Sequence, residues 1–177
     1  MRKKLDLYET PLWQTEALLA AHPDIGGTVL DPCAGTGAIA RVLTDAGHTV
    51  RTSDVDTAHA TMFHGDAQTC ALYSAIGPVD WVVTNPPYKM PQCLEIVAQA
   101  VAHARVGVAM LLRLSFREPT RLRGPWLMNH PASRILTLPR TSYTRNGKSD
   151  SVTTEWCIWT QRPTAHPPIV SLYGVKP

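Results

Sequence analysis

Short runs of β-branched and other apolar residues alternate along this chain with longer stretches whose apolar positions recur at helical spacing. Residues 27–32 ("GTVLDP"), 48–54 ("HTVRTSD"), 61–66 ("TMFHGD"), 79–85 ("VDWVVTN"), 106–114 ("VGVAMLLRL"), 133–139 ("SRILTLP") and 154–160 ("TEWCIWT") read as strands. Between them, residues 37–47 set Ile39, Val42, Leu43 and Ala46 on one helical stripe that closes at Gly47, and residues 91–104 form a second helix. This alternation predicts a parallel sheet covered by helices, the α/β class. Two stretches, 115–132 and 140–153, are long for connections in a compact domain, which marks them as candidate substrate-binding loops. Residues 161–177, with "RPTAHPP" at 162–168, read as an extended tail.

Length and composition narrow the picture. A chain of 177 residues with 44 % apolar content can bury one sizeable core, so a single domain over residues 1–177 is expected. The basic start "MRKKLDLYET" has no apolar run behind it, and the longest apolar stretch, 106–112, is too short to span a bilayer. A soluble, cytoplasmic protein with no membrane partner is expected. Cys33, Cys70, Cys93 and Cys157 lack metal-ligand spacing, and the seven histidines form no HxxxH pair, so no metal is expected.

Charge is unevenly spread behind a net value of +3. From Arg113 to Lys148 the chain carries eight basic residues (Arg113, Arg117, Arg121, Arg123, Arg134, Arg140, Arg145, Lys148) against one acid, Glu118, whereas the part before it is acidic. Seven of the eight are arginines, whose planar forks suit phosphate oxygens. A polyanion-binding surface is therefore expected here, with nucleic acid as the natural ligand.

The first chemical motif is "DPCAGTGAIA", 31–40, lying between a strand and a helix. Gly35 and Gly37 permit a tight turn and a close backbone approach to a ligand, and with Ala40 they satisfy the dinucleotide pattern GxGxxA. Asp54, seventeen residues beyond Gly37, closes the next strand, where a carboxylate can accept hydrogen bonds from both hydroxyls of a ribose. A nucleoside cofactor fits. Asp31, placed to project its negative charge into the crevice, repels a pyrophosphate and favours a cationic amino group, which points to S-adenosylmethionine over NAD.

The second motif, "NPPY" (85–88), follows the strand at 79–85. Together with "DPCAGTG" (31–37), the acid in "TSDVD" (52–56) and "HGDA" (64–67), it resembles the S-adenosylmethionine-dependent amino-methyltransferases, specifically the DNA adenine N6 methyltransferases of the NPPY type. The resemblance covers about residues 5–160. It implies a Rossmann-like class I methyltransferase fold, a mostly parallel seven-stranded sheet with helices on both faces and its last strand pair antiparallel. It also implies transfer of a methyl group to the N6 amino group of adenine in DNA, with base flipping.

The family's roles carry over residue by residue. Asn85, Pro86, Pro87 and Tyr88 become the catalytic set: the Asn85 side-chain oxygen and the Pro86 carbonyl accept the two N–H bonds of the amino group, and Tyr88 stacks on the flipped base. "YETP" (8–11), within an N-terminal covering segment 1–20, would set Tyr8 and Thr10 against the methionine part of the cofactor. Asp31, Cys33, Gly35, Gly37 and Asp54 complete its site, and Asp66 with Ala67 would hold its adenine. Tyr143 would lie against the other face of the target base, and Arg121, Arg123 and Arg145 are candidate phosphate contacts. Many family members carry a separate target-recognition domain; this chain has room only for the catalytic domain and two loops, so sequence selectivity is expected to be short, relaxed or supplied by a protein partner. The compact form resembles phage and mobile-element enzymes. NPPY also occurs in enzymes that methylate RNA bases or a protein glutamine, and an inactive cofactor-binding subunit of a heteromeric methyltransferase is the alternative of another class.

Overall fold

The computed structural model describes residues 9–140, 153–161 and 169–171. In chain order the elements are α1 (Leu12–Ala21), β1 (Thr28–Asp31), α2 (Ala38–Asp45), β2 (Thr49–Asp54), β3 (Phe63–His64), α3 (Cys70–Ile76), β4 (Val79–Thr84), α4 (Gln92–His103), β5 (Ala104–Arg113), a 3-10 turn (Leu114–Arg117), α5 (Gly124–Asn129), β6 (Arg134–Thr137), β7 (Thr154–Thr160) and β8 (Ile169–Ser171). The strands make one sheet in the order β3-β2-β1-β4-β5-β7-β6-β8. Strands β1 to β5 run parallel, and β7 runs antiparallel to both β5 and β6. All seven expected strands are present. An eighth, β8, pairs parallel with β6 at the sheet edge, inside the segment expected to be a plain tail.

Strand alternation divides the core between the two faces. Leu30, Val82, Val108, Met110, Leu112, Cys157 and Trp159 pack against α3 and α4 through Leu72, Tyr73, Ile76, Ile96 and Val97. Their neighbours Val29, Trp81, Val83, Ala109, Leu111, Trp156 and Ile158 pack against α1 and α2 through Ala17, Leu18, Ile39 and Leu43. Every central strand is thus buried on both sides, which is why it reads as an unbroken apolar run. Trp156 and Trp159 are 0 % and 6 % exposed, so both are packing residues.

The segment 115–132 is more ordered than a loop. Phe116 and Gly124 are buried, and Trp126 packs edge-on against Trp159 at 5.9 Å. Two arginines of the basic stretch are tied to the fold as well. Arg117 forms two hydrogen bonds to Glu155, which is fully buried on β7. Arg134 donates to the Ala21 carbonyl and lies 3.2 Å from His22 Nδ1 at the end of α1. Both cations offset acceptors left inside the protein rather than waiting for an external anion.

The order of the strands fixes where a ligand can sit. From β1 the chain builds outward to β2 and β3, then returns to β1's other side and builds through β4 and β5. At such a reversal the connections leaving two adjacent parallel strands diverge, opening a crevice at their carboxyl ends. Here those ends are Asp31 and Thr84, the residues flanking the two motifs. No helix among the described residues is long and apolar enough to cross a membrane.

Candidate active site

At the β1–β4 reversal lies a cleft of about 810 Å³. It is lined by residues of both motif loops: Cys33, Gly35 and Thr36 from the first, Asn85, Pro86, Pro87 and Tyr88 from the second. Asp54 joins them from the end of β2, and Thr10 from the segment ahead of α1.

The first loop leaves β1 and enters α2 through two glycines with left-handed backbone, Gly35 at φ 51° and Gly37 at φ 82°. At Gly37 a Cβ would meet nothing within 4 Å, so the backbone angle and not crowding calls for glycine there. The Gly35 N–H donates to Asp54 Oδ2 at 2.8 Å, and the Ala34 N–H donates to the Ser53 carbonyl at 3.0 Å. The other Asp54 oxygen accepts the Asp56 N–H at 2.8 Å. One carboxylate therefore braces the loop after β1 and the loop after β2. Each oxygen keeps a second lone pair for a ligand hydroxyl.

Asp31 sits deeper than its motif suggests. It is 1 % exposed and does not line the cleft; Oδ1 accepts from Thr84 Oγ1 at 2.7 Å and from the Cys33 N–H at 3.4 Å. Instead of projecting into the crevice, it ties the ends of β1 and β4 together beneath it. Its second oxygen is buried with no hydrogen-bond partner among the described residues. Burial pushes its carboxyl up to about 7, with the nearby Asp54 charge adding to the rise and the bonds from Thr84 and Cys33 opposing it. A buried carboxyl held so far from its usual range is stabilised by a positive charge brought close.

Asn85, immediately after β4, donates from Nδ2 to Thr10 Oγ1 at 3.1 Å. Tyr88 has the Arg113 guanidinium over its ring, 4.9 Å from the centroid. Arg113 ends β5, the neighbour of β4, and it too lines the cleft.

The remaining expected residues are placed elsewhere. Asp66 accepts from the backbone N–H and side-chain amide of Gln68, and Ala67 is buried in the core beside Leu72; neither lines the cleft. Arg121 is exposed. Arg123 is 8 % exposed, bonded to the Glu118 carbonyl and 3.7 Å from its carboxylate, so it does not present a free phosphate fork as expected. Tyr8, Tyr143 and Arg145 lie outside the described residues. The cleft also gathers Glu9, Asp56, His59, Lys89, Gln92 and Arg113, none of which was singled out for this site from the sequence. Among the described residues no cluster of His, Cys, Asp and Glu could hold a metal ion.

No protein-family model and no curated protein matches the sequence. Solved structures do. One is a Listeria monocytogenes protein assigned to the class I S-adenosylmethionine-dependent methyltransferases, at 14 % identity and TM-score 0.60 over 92 % of this chain and 64 % of that one. Another is the M protein of the type I restriction enzyme EcoKI, at 15 % identity and TM-score 0.67 over 96 % of this chain and 49 % of that one. A third is the magnesium protoporphyrin IX methyltransferase of Synechocystis PCC 6803, solved with S-adenosylmethionine bound, at 12 % identity and TM-score 0.59 over 85 % of this chain and 79 % of that one. The chain has the class I methyltransferase fold. It spans about two thirds of the Listeria protein and about half of the EcoKI subunit.

Proposed function

We propose that the protein transfers a methyl group from S-adenosylmethionine to the N6 amino group of adenine in DNA, acting on a base turned out of the helix. The observation that carries this reading is that Asn85, Pro86, Pro87 and Tyr88 share one cleft with Gly35 and Asp54. A volume of about 810 Å³ lies within the usual range for ligand pockets.

The residues present fit the cofactor. Asp54 has acceptor capacity for a ribose, the Gly35 backbone lines the cleft whereas Gly37 does not, and the buried Asp31 carboxyl favours a cation nearby. Once bound, the cofactor would supply an electrophilic methyl on a sulfonium that leaves as a neutral thioether. The chain's own task is to prepare the acceptor. An adenine amino nitrogen is a poor nucleophile because its lone pair is delocalised into the ring. Accepting its two N–H bonds at the Asn85 oxygen and the Pro86 carbonyl draws it towards a tetrahedral form, and the prolines, with φ fixed, keep those acceptors in place. The alkylated nitrogen then loses a proton to water without a dedicated base. Tyr88 is the stacking residue for the base; the Arg113 guanidinium lies over one face of its ring, so the base would take the other face or displace Arg113.

The test is nucleoside mass spectrometry after incubating purified protein with methyl-labelled cofactor and either DNA or RNA. Labelled N6-methyladenine from DNA is the expected product. Label only in RNA would replace the substrate, and no transfer to either, with no cofactor binding, would overturn the reading. Asn85→Ala should lower the methylation rate on the order of a hundredfold while leaving cofactor binding nearly intact, the scale for one lost transition-state hydrogen bond.

A further inference from the structure

Two polar links join the segment ahead of α1 to the two loops of the cleft. Thr36 Oγ1 donates to Glu9 Oε1 at 3.1 Å, and Asn85 Nδ2 donates to Thr10 Oγ1 at 3.1 Å across 75 residues of chain. The first is exposed; the second is shielded, with Thr10 only 6 % exposed and Asn85 half-buried. A hydrogen bond kept from water holds its partners more firmly than one that solvent can replace.

A carboxamide needs such a hold. Its terminal torsion is broad and roughly two-fold, so backbone rigidity at Pro86 and Pro87 fixes where the Asn85 amide sits but not how its plane is turned. With Nδ2 committed to Thr10, Oδ1 takes the other branch of the amide, and an oxygen acceptor is what the proposed chemistry demands of Asn85.

We propose that Thr10 is a positioning residue that sets the Asn85 carboxamide for methyl transfer, so that the N-terminal segment helps to assemble the acceptor side of the site. The proposal rests on the amino-methyl-transfer reading for its consequence and on the Thr10–Asn85 geometry for its cause, and the two are separable by experiment. It differs from a role for Thr10 against the cofactor alone, which would leave Asn85 untouched when Thr10 is changed.

The cause is tested without any reaction. In the 15N spectrum of the full chain, the Asn85 side-chain amide is assigned by its loss in Asn85→Ala. One of its protons should exchange with water roughly tenfold more slowly than a free carboxamide in the parent protein and in Thr10→Ser, and lose that protection in Thr10→Val, which keeps the shape and removes the hydroxyl. Unchanged protection in Thr10→Val overturns the proposal. The consequence is tested by single-turnover methylation of adenine DNA. Thr10→Val should lower the rate about tenfold with cofactor affinity within about twofold, Thr10→Ser should restore it, and Thr10→Val should add no further loss in an Asn85→Ala background. Fully additive losses, or weakened cofactor affinity at an unchanged rate, would place Thr10 with the cofactor and sink the proposal. Should the parent protein methylate no adenine, the reaction reading falls, while the exchange measurement alone decides whether Thr10 orients Asn85.

Discussion

Asp31 shows how one side chain can serve the fold and the site in opposite ways. Its folded carboxyl stands at about 7 against an ordinary 3.8, chiefly because burial penalises the charge. A group whose folded value is raised contributes stability that is fully present below 3.8 and is lost as pH rises through about 7. Asp31→Asn keeps an acceptor for Thr84 and Cys33 and removes the charge. Without cofactor, this variant should be more stable than the parent at pH 8, by on the order of a few kcal/mol, and nearly equal to it at pH 4. Thermal melts over that range check this, and a constant offset between the two proteins would show that the carboxyl does not titrate as described. The string "DPCAGTG" announced the loop, because a strand, a turn and a helix start are local events that seven residues can encode. It did not announce that Asp31 would lie under the loop, since that follows from Thr84, 53 residues away, reaching it from β4. Arg113 was hidden for the same reason: only the pairing of β4 with β5 brings it to Tyr88.

At the scale of elements, the site depends on how closely β4 and β5 lie together behind it. Gly107 on β5 pairs with Trp81 on β4, and a Cβ at Gly107 would stand 2.6 Å from Trp81 Cη2 and 2.9 Å from the Trp159 carbonyl. Trp81 is 1 % exposed and meets His22 edge-on at 5.5 Å, so its ring has nowhere to retreat. Gly107→Ala should therefore destabilise the protein by roughly 1–3 kcal/mol, the cost of overpacking a tight core. Denaturant unfolding measures it, and an unchanged midpoint would mean that the sheet accommodates the methyl. Long strands such as β5 were legible as unbroken apolar runs, whereas α3, α5 and β8 were not. Those helices have seven and six residues, too few for a helical period to stand out, and β8 has three. The stretch 115–132 reads as a long connection, and arginines in a connection read as surface. Arg117 instead answers Glu155, 38 residues further on, a pairing that composition cannot express.

At the scale of the whole molecule, the question is how much of the basic excess between Arg113 and Lys148 is available to a polyanion. Arg117 and Arg134 are committed to Glu155 and to the end of α1, and Arg123 is enclosed beside Glu118. Arg121 and Arg140 are exposed, and Arg113 faces the cleft. The surface open to a polyanion is thus less cationic than the residue count implies, and under the proposed DNA-methylating function the arginines fall into two groups expected to respond differently to salt. An exposed guanidinium that neutralises a phosphate releases condensed counterions, contributing roughly 0.9 to the slope of log affinity against log salt. One already bonded inside the protein releases none when DNA arrives. Arg121→Ala and Arg140→Ala should each reduce the magnitude of that slope by roughly one unit, with binding weakened alike across sequences. Arg123→Ala should leave the slope unchanged and lower the melting temperature, because it uncovers the Glu118 carbonyl and empties a packed position. Fluorescence titrations of a DNA duplex at several salt concentrations separate the cases. A slope change in Arg123→Ala equal to that in Arg121→Ala would mean that its pairing with Glu118 opens on binding; no change in any of the three would remove the 115–140 region from the DNA-binding surface and leave substrate contact to the cleft alone.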